Sequence, residues 1–229
     1  VKKTLQLIKD VFFSPDRIYK EIDQKSKWIG PFLIYSLSSI CISTFWHIYV
    51  YRSMQGVVQR ASSGNSIDLM VKYSRRAVCN LLSIPIEHFL LLLVTTIFLW
   101  LILKSISDTP IRIKKCLSLT AHSSILLLLL PITFILIVLV KSSFHNLGNP
   151  YNIHLGLDFF FQSFRGPKWI MMALSQMNVF NIIWLVFIIR GANNMCEIKK
   201  SGLHVLYSGF IIFWLLLGIS YSKIKFLTL

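Results

Sequence analysis

The sequence is short of charge, and shortest of negative charge. Only 14% of its 229 residues are Asp, Glu, Lys or Arg, with 9 acidic side chains against 24 basic ones. Soluble domains carry about 25% charge and about 45–50% apolar residues. Here the apolar share is 55% and the mean hydropathy is +0.64. Once the apolar blocks are set aside, no stretch long enough for a soluble domain remains. Enzyme signatures are missing too. There is no GxSxG, HExxH, Walker lysine loop or GxGxxG, so the sequence offers no nucleophile elbow, zinc-binding helix or phosphate cradle. The four cysteines (Cys41, Cys79, Cys116, Cys196) stand far apart with no CxxC, which argues against a disulfide framework or a metal site. They read as small buried hydrophobes. The six histidines have no metal-like spacing. The reading is therefore non-enzymatic, with no catalytic, cofactor-binding or metal-binding residue assigned. Val1 to Asp10 has neither a continuous apolar core nor a small-residue cleavage site. It does not read as a signal peptide, and the first spanning helix is expected to serve as the insertion signal.

What is present is a series of apolar blocks. About 20 apolar residues cross a hydrocarbon core of ~30 Å as a helix. The predicted fold class is an all-α membrane protein of five transmembrane helices, at about 28–51, 78–103, 117–140, 169–189 and 203–221. An amphipathic interfacial segment, residues 1–27, precedes the five-span domain at 28–229. In that segment Val1, Leu5, Ile8 and Phe12 form an apolar stripe, as in helices that lie in the membrane interface. "SPDR" then starts a second short helix: Ser14 suits the N-cap, Pro15 the first turn, and Asp16 the positive helix end. This helix is expected to end near Gln24.

Trp28 marks one interface of the first span, and Trp46, Tyr49 and Tyr51 the other. Ser36, Ser38, Ser39 and Ser43 permit close helix contact within it. Residues 52–77 read as a polar excursion broken at "SSGNS", with Ser66 capping a new helix. Pro131 lies inside the third span, where a kink is expected. The link 141–168 is rich in aromatic residues and reads as interfacial or partly re-entrant. "RGANN" (190–194) is expected to end the fourth span with Gly191 as its C-cap. Lys223 and Lys225 anchor the fifth.

The basic excess is spread over every link rather than gathered in one arm, which fits anionic lipid headgroups and not nucleic acid. The N-terminal segment and the links after the second and fourth spans carry 14 of the 24 Lys and Arg. That bias places the N-terminus in the cytoplasm.

Ionisable groups inside spans are costly and worth following. Glu87 and His88 fall in the second span, His122 in the third, and Arg190 at the end of the fourth. One reading is a proton or ion path centred on Glu87. The other puts Glu87 at headgroup level, because the run from Phe89 to Leu103 is only 15 residues long. A lipid-acting enzyme would draw on His145, His154 and Asp158 in the long link, which lack a nucleophile–base arrangement.

Three stretches carry a family resemblance. "FFSPDRIYKEIDQKSKWIGPFLIY" resembles the start of bacterial members of the Ypt-interacting-protein (Yip) domain family, through Ser14, Pro15, Lys27, Trp28 and Pro31. "LSQMNVFNIIWLVFIIRGANNMCEIKKSGLHVLY" is similar to the family's fourth span, with Phe180, Trp184 and Gly191 in place and Asn178 where an acidic residue is common. "KKCLSLTAHSSILLLLLP" is similar to the beginning of its third. The resemblance implies five spans, a cytoplasmic N-terminus and no catalytic residues. Eukaryotic members are trafficking factors that meet small GTPases, and some bacterial relatives accompany ABC-type export systems. The expectation is a bacterial inner-membrane protein acting as an accessory or scaffold subunit of a transport complex. Its partners would be membrane lipids and another membrane protein, with a homo-oligomer left open. The alternative is a small transporter or channel with Glu87, His88, His122 and Arg190 along its path. The partner surface is expected at Ser14, Pro15, Arg17, Lys20 and Glu21.

Overall fold

The computed structural model describes the backbone of residues 2–61, 64–143, 155–156, 170–171, 174–175, 177–196, 198 and 200–227. Side chains are described at 5–52, 71, 73–140, 155–156, 170–171, 174–175, 177–196, 198 and 200–216. The expected re-entrant character of the 141–168 link falls almost wholly outside these residues, as do His145, His154 and Asp158. Two short helices, α1 (Lys2–Phe13) and α2 (Pro15–Lys25), lead into α3 (Ile29–Ala61) and α4 (Gly64–Ile106). Then come α5 (Ile113–Ser124), a 3-10 turn (Ile125–Leu128), α6 (Leu129–Ser143), α7 (Val179–Met195) and α8 (Lys200–Leu227). No strand occurs among the described residues beyond two isolated antiparallel bridges, Ser107 with Ile198 and Gly156 with Asn178.

The helices turn apolar side chains outward. Leu82, Ile86, Leu90, Val94, Ile97 and Leu101 form one exposed row along α4, and Ile29, Leu33, Leu37, Phe45 and Ile48 another along α3. In water such rows would be a large unfavourable surface; in lipid they are matched. Among the described residues three segments are long and apolar enough to cross a membrane: Ile29–Arg52, Tyr73–Ile106 and Ile113–Val140. Val179–Met195 and Lys200–Leu216 are shorter apolar helices. The chain is a helical integral membrane protein.

Helices α3 and α4 form a long antiparallel hairpin. Tyr35 stacks on His88 with ring centroids 4.2 Å apart, and further along His47 Nδ1 lies 2.9 Å from the Tyr73 hydroxyl. The residues between the first two spans extend this hairpin rather than form a loop. The backbone is helical to Ala61 and again from Gly64, so Ser66 lies inside the first turn of α4 instead of capping it. Good helix formers (Ala, Met, Gln, Arg, Lys, Leu) supply 12 of the 26 residues at 52–77, so polarity there does not prevent helix formation.

The expected disturbance at Pro131 is seen as a local change of helix type. Proline at position i removes a donor and crowds the carbonyl four residues earlier, here Leu127. The backbone tightens into the 3-10 turn over Ile125–Leu128, just ahead of the proline. A different correction concerns the fourth apolar block. The expected helix from 169 is interrupted at Met177 and Asn178, and α7 begins at Val179. Asn178 is its N-cap, with Oδ1 accepting the Asn181 N–H at 2.9 Å. Asn and Asp are both strong N-caps. An acidic residue at this place in relatives would therefore serve the same end. The helix also runs past "RGANN" to Met195, so Gly191 is an interior residue and not a C-cap.

The core packs the N-terminal segment together with α4, α5, α7 and α8. Leu99 and Leu103 of α4, Cys116 and Leu119 of α5, Phe187 and Ile188 of α7, and Leu206 and Phe210 of α8 are buried together with Ile18, Tyr19 and Ile22 of α2.

Candidate functional site

Two features stand out from this frame: an N-terminal elbow docked into the bundle, and a polar seam inside it.

The elbow is built from α1 and α2. In α2, Ile18, Tyr19 and Ile22 fall on one face by helical spacing and are buried. Ser14 sits at the N-cap and Pro15 in the first turn, as expected, but the Ser14 hydroxyl makes no capping hydrogen bond. The backbone supplies the turn instead: Ser14 N–H donates to the Asp10 carbonyl at 2.9 Å, and Arg17 N–H to the Ser14 carbonyl at 3.0 Å. In α1 the buried side is centred on Val11, with Leu7 and the expected stripe residues Ile8 and Phe12 beside it. Leu5, expected in the apolar stripe, is 61% exposed, and Phe13 is 80% exposed. The stripe is rotated because α1 leans on the 3-10 turn of the third apolar segment, not on lipid alone.

Tyr19 fixes the elbow to α7. Its hydroxyl donates to the Phe187 carbonyl at 3.0 Å, and its ring lies 5.0 Å from that of Phe187. Burial raises the phenol's pKa above its ordinary value, with nearby Arg190 opposing and Asp16 adding to the shift. Gly191 provides the seat. A Cβ there would come within 2.4 Å of Leu119 Cδ1 and 2.8 Å of Tyr19 Cε1. Side-chain absence at this position lets α2, α5 and α7 meet. More polar ties surround the seat. Lys115 pairs with Asp23, and Ser118 Oγ donates to the Lys27 carbonyl at 2.8 Å. Ser26 ends α2 in the left-handed region at φ 42°, its N–H and hydroxyl both donating to the Ile22 carbonyl. Cys196, just past α7, is buried, which lifts its thiol to about 11.

Of the expected partner residues, Arg17, Lys20 and Glu21 are exposed on the outer face of α2, while Ser14 and Pro15 are half-buried. Arg17 also contacts Asp10 at 3.3 Å, a carboxylate to which Gln6 donates at 2.9 Å. Asp10 itself is buried and was not foreseen. Its signal in the sequence is weak: Gln6, Asp10 and Arg17 are spaced to meet only once the turn at Ser14 is known.

The polar seam runs along α5. Thr96 and Thr120 hydroxyls lie 2.7 Å apart across the α4–α5 contact, and Thr120 Oγ1 also donates to the Cys116 carbonyl at 3.0 Å. His122 Nδ1–H donates to the Ser118 carbonyl at 2.7 Å, and Ser123 Oγ to the Thr120 carbonyl at 2.8 Å. Next to the seam is a small cavity lined by Tyr35, His88, Thr95, Thr120, Ser124 and Trp184, with Leu91, Leu92 and Leu127 completing it. The "TT" within an otherwise aliphatic run and "LTAHSS" are the sequence traces of this seam.

The four intramembrane candidates lie in different surroundings. His88 lines the cavity. His122 is buried in the seam but does not line it. Glu87 is exposed on the outer face of α4, accepting from Ser83 Oγ at 2.6 Å. Arg190 is exposed near the elbow. Among the described residues no three His, Cys, Asp or Glu side chains are grouped to hold a metal ion.

A family model described as "Yip1 domain" matches residues 9–222. No curated protein and no solved structure matches the sequence.

Proposed function

Because the chain belongs to the Yip1 domain family, we propose that it is a non-enzymatic scaffold or accessory subunit. It would sit beside a transporter, such as an ABC-type exporter, or another membrane complex. In this reading the apolar helices α3, α4, α5–α6, α7 and α8 make five crossings, the N-terminus is cytoplasmic, and the membrane is a bacterial inner membrane. The positive-inside bias supports the orientation.

The observation that carries the proposal is the elbow. A segment held by Tyr19, Ile18 and Ile22 in the bundle presents Arg17, Lys20 and Glu21 outward on a fixed helix face. A charged face held rigid at low entropic cost is suited to a protein partner. The test is mild-detergent co-purification from the native membrane, comparing wild type with Arg17→Glu/Lys20→Glu. The expected result is a stoichiometric membrane-protein partner that the double variant loses while remaining folded. A solitary wild-type protein under mild extraction, or a partner retained by the variant, sinks the proposal.

A further inference from the structure

The cavity beside the seam contains a chemical mismatch. Three buried polar atoms on its lining residues have no protein hydrogen-bond partner: His88 Nδ1, Thr95 Oγ1 and Trp184 Nε1. His88 and Thr95 are seven residues apart on α4 and so share a face; Trp184 comes from α7. Thr95 and Trp184 are each 2% exposed. Leaving such groups unmatched incurs their full desolvation penalty, and buried polar groups without protein partners are usually met by ordered water. The other two unpartnered atoms among the described residues, on Ser36 and Trp214, belong to residues that do not line this cavity.

We propose that the cavity is a hydration site, binding one structural water between His88, Thr95 and Trp184 within the helix bundle. Its size fits, since there is room for about one water molecule. The donor set fits as well. An indole N–H only donates, so the ligand must accept at Trp184. A metal or ammonium cation cannot accept, and no carboxylate lines the site to neutralise one. An anion would accept, but no Lys or Arg lines the site. An apolar guest would leave all three atoms unmatched. Water accepts from Trp184 Nε1–H and donates its two protons to His88 Nδ1 and Thr95 Oγ1. Tyr35, stacked on the His88 ring, holds that acceptor in place. The water thereby ties α4 to α7 across the cavity.

The test is X-ray radiolytic footprinting of the full chain in detergent, read by mass spectrometry. Hydroxyl radicals made from a bound water oxidise the side chain beside it even where bulk solvent does not reach. Yields are normalised to the intrinsic reactivity of each side-chain type. Trp184 is expected to be labelled at least threefold above Phe210, which is fully buried and does not line the cavity. Thr95→Val, nearly the same shape, is expected to lower the Trp184 yield at least threefold. Equal yields at Trp184 and Phe210 in the wild type overturn the proposal, as does an unchanged Trp184 yield in folded Thr95→Val. If that variant does not fold, the wild-type comparison decides.

Discussion

At the scale of single residues, the most constrained position is Gly191. Its missing side chain is occupied by the Tyr19 ring and the Leu119 methyl. Gly191→Ala adds one carbon where the nearest atoms belong to two tightly packed side chains, and overpacking of this kind costs about 1–3 kcal/mol. Helix propensity opposes this by up to ~1 kcal/mol, so a net loss is expected. A lower thermal midpoint in detergent would confirm it, and Leu119→Ala should cost less in the Gly191→Ala background than in the wild type, because the two sites share one contact. A midpoint unchanged or raised by Gly191→Ala would mean the seat is not closed. This role was hidden in the sequence. A glycine near the end of an apolar run reads as a cap, and only the presence of Tyr19, far away in the chain, reveals a notch. Ser14 teaches the converse: its type and place indicated a helix start, and the backbone alone closes that start.

At the scale of elements, the elbow behaves as a docked unit rather than as a float on the headgroups. Removing buried methylenes costs about 2–5 kcal/mol for Ile→Ala, and Ile22 is 1% exposed. Ile22→Ala should therefore loosen α2, and limited trypsin digestion should cut faster at Lys25 or Lys27. Leu5→Ser, on the outward side of α1, should leave the cleavage rate unchanged. Equal rates for wild type and Ile22→Ala would show that α2 is not held by this contact. Helical character and the first three apolar segments were readable because length, hydropathy and interfacial aromatics are local properties. Three departures came from non-local or competing effects. The burial side of α1 is set by a distant 3-10 turn. The break at Asn178 interrupts apolar residues that continue on both sides. The 52–77 stretch is polar yet rich in helix formers, so composition and propensity pointed in different directions.

For the molecule as a whole, three basic segments meet at one end. Lys115 pairs with Asp23, Ser118 contacts the Lys27 carbonyl, and Ser107 bridges to Ile198. These join the N-terminal segment, the link after α4 and the link after α7. Charge counting had assigned the same three segments to one face, by an argument that uses no contacts. Impermeant thiol labelling can check this in a background with Cys41→Ser and Cys79→Ser. Lys25→Cys, Thr109→Cys and Ser201→Cys should all react from one side of sealed vesicles, and Asn65→Cys from the other. Labelling of Lys25→Cys and Ser201→Cys from opposite sides would break the arrangement. The cysteines that remain in that background, Cys116 and Cys196, are buried, and burial keeps Cys196 protonated, so their background reaction should be slow.

The Tyr19 hydrogen bond to Phe187 closes a separation of 168 residues. Ribosomes add about 5–20 residues per second, so Tyr19 emerges roughly 8–34 s before its acceptor is made. During that interval the apolar side of α2 has no seat, and the bilayer surface or a chaperone must cover it. A segment made well before α7 is thus among the last to be settled, and arrival of α7 marks the moment when the outward charged face becomes fixed.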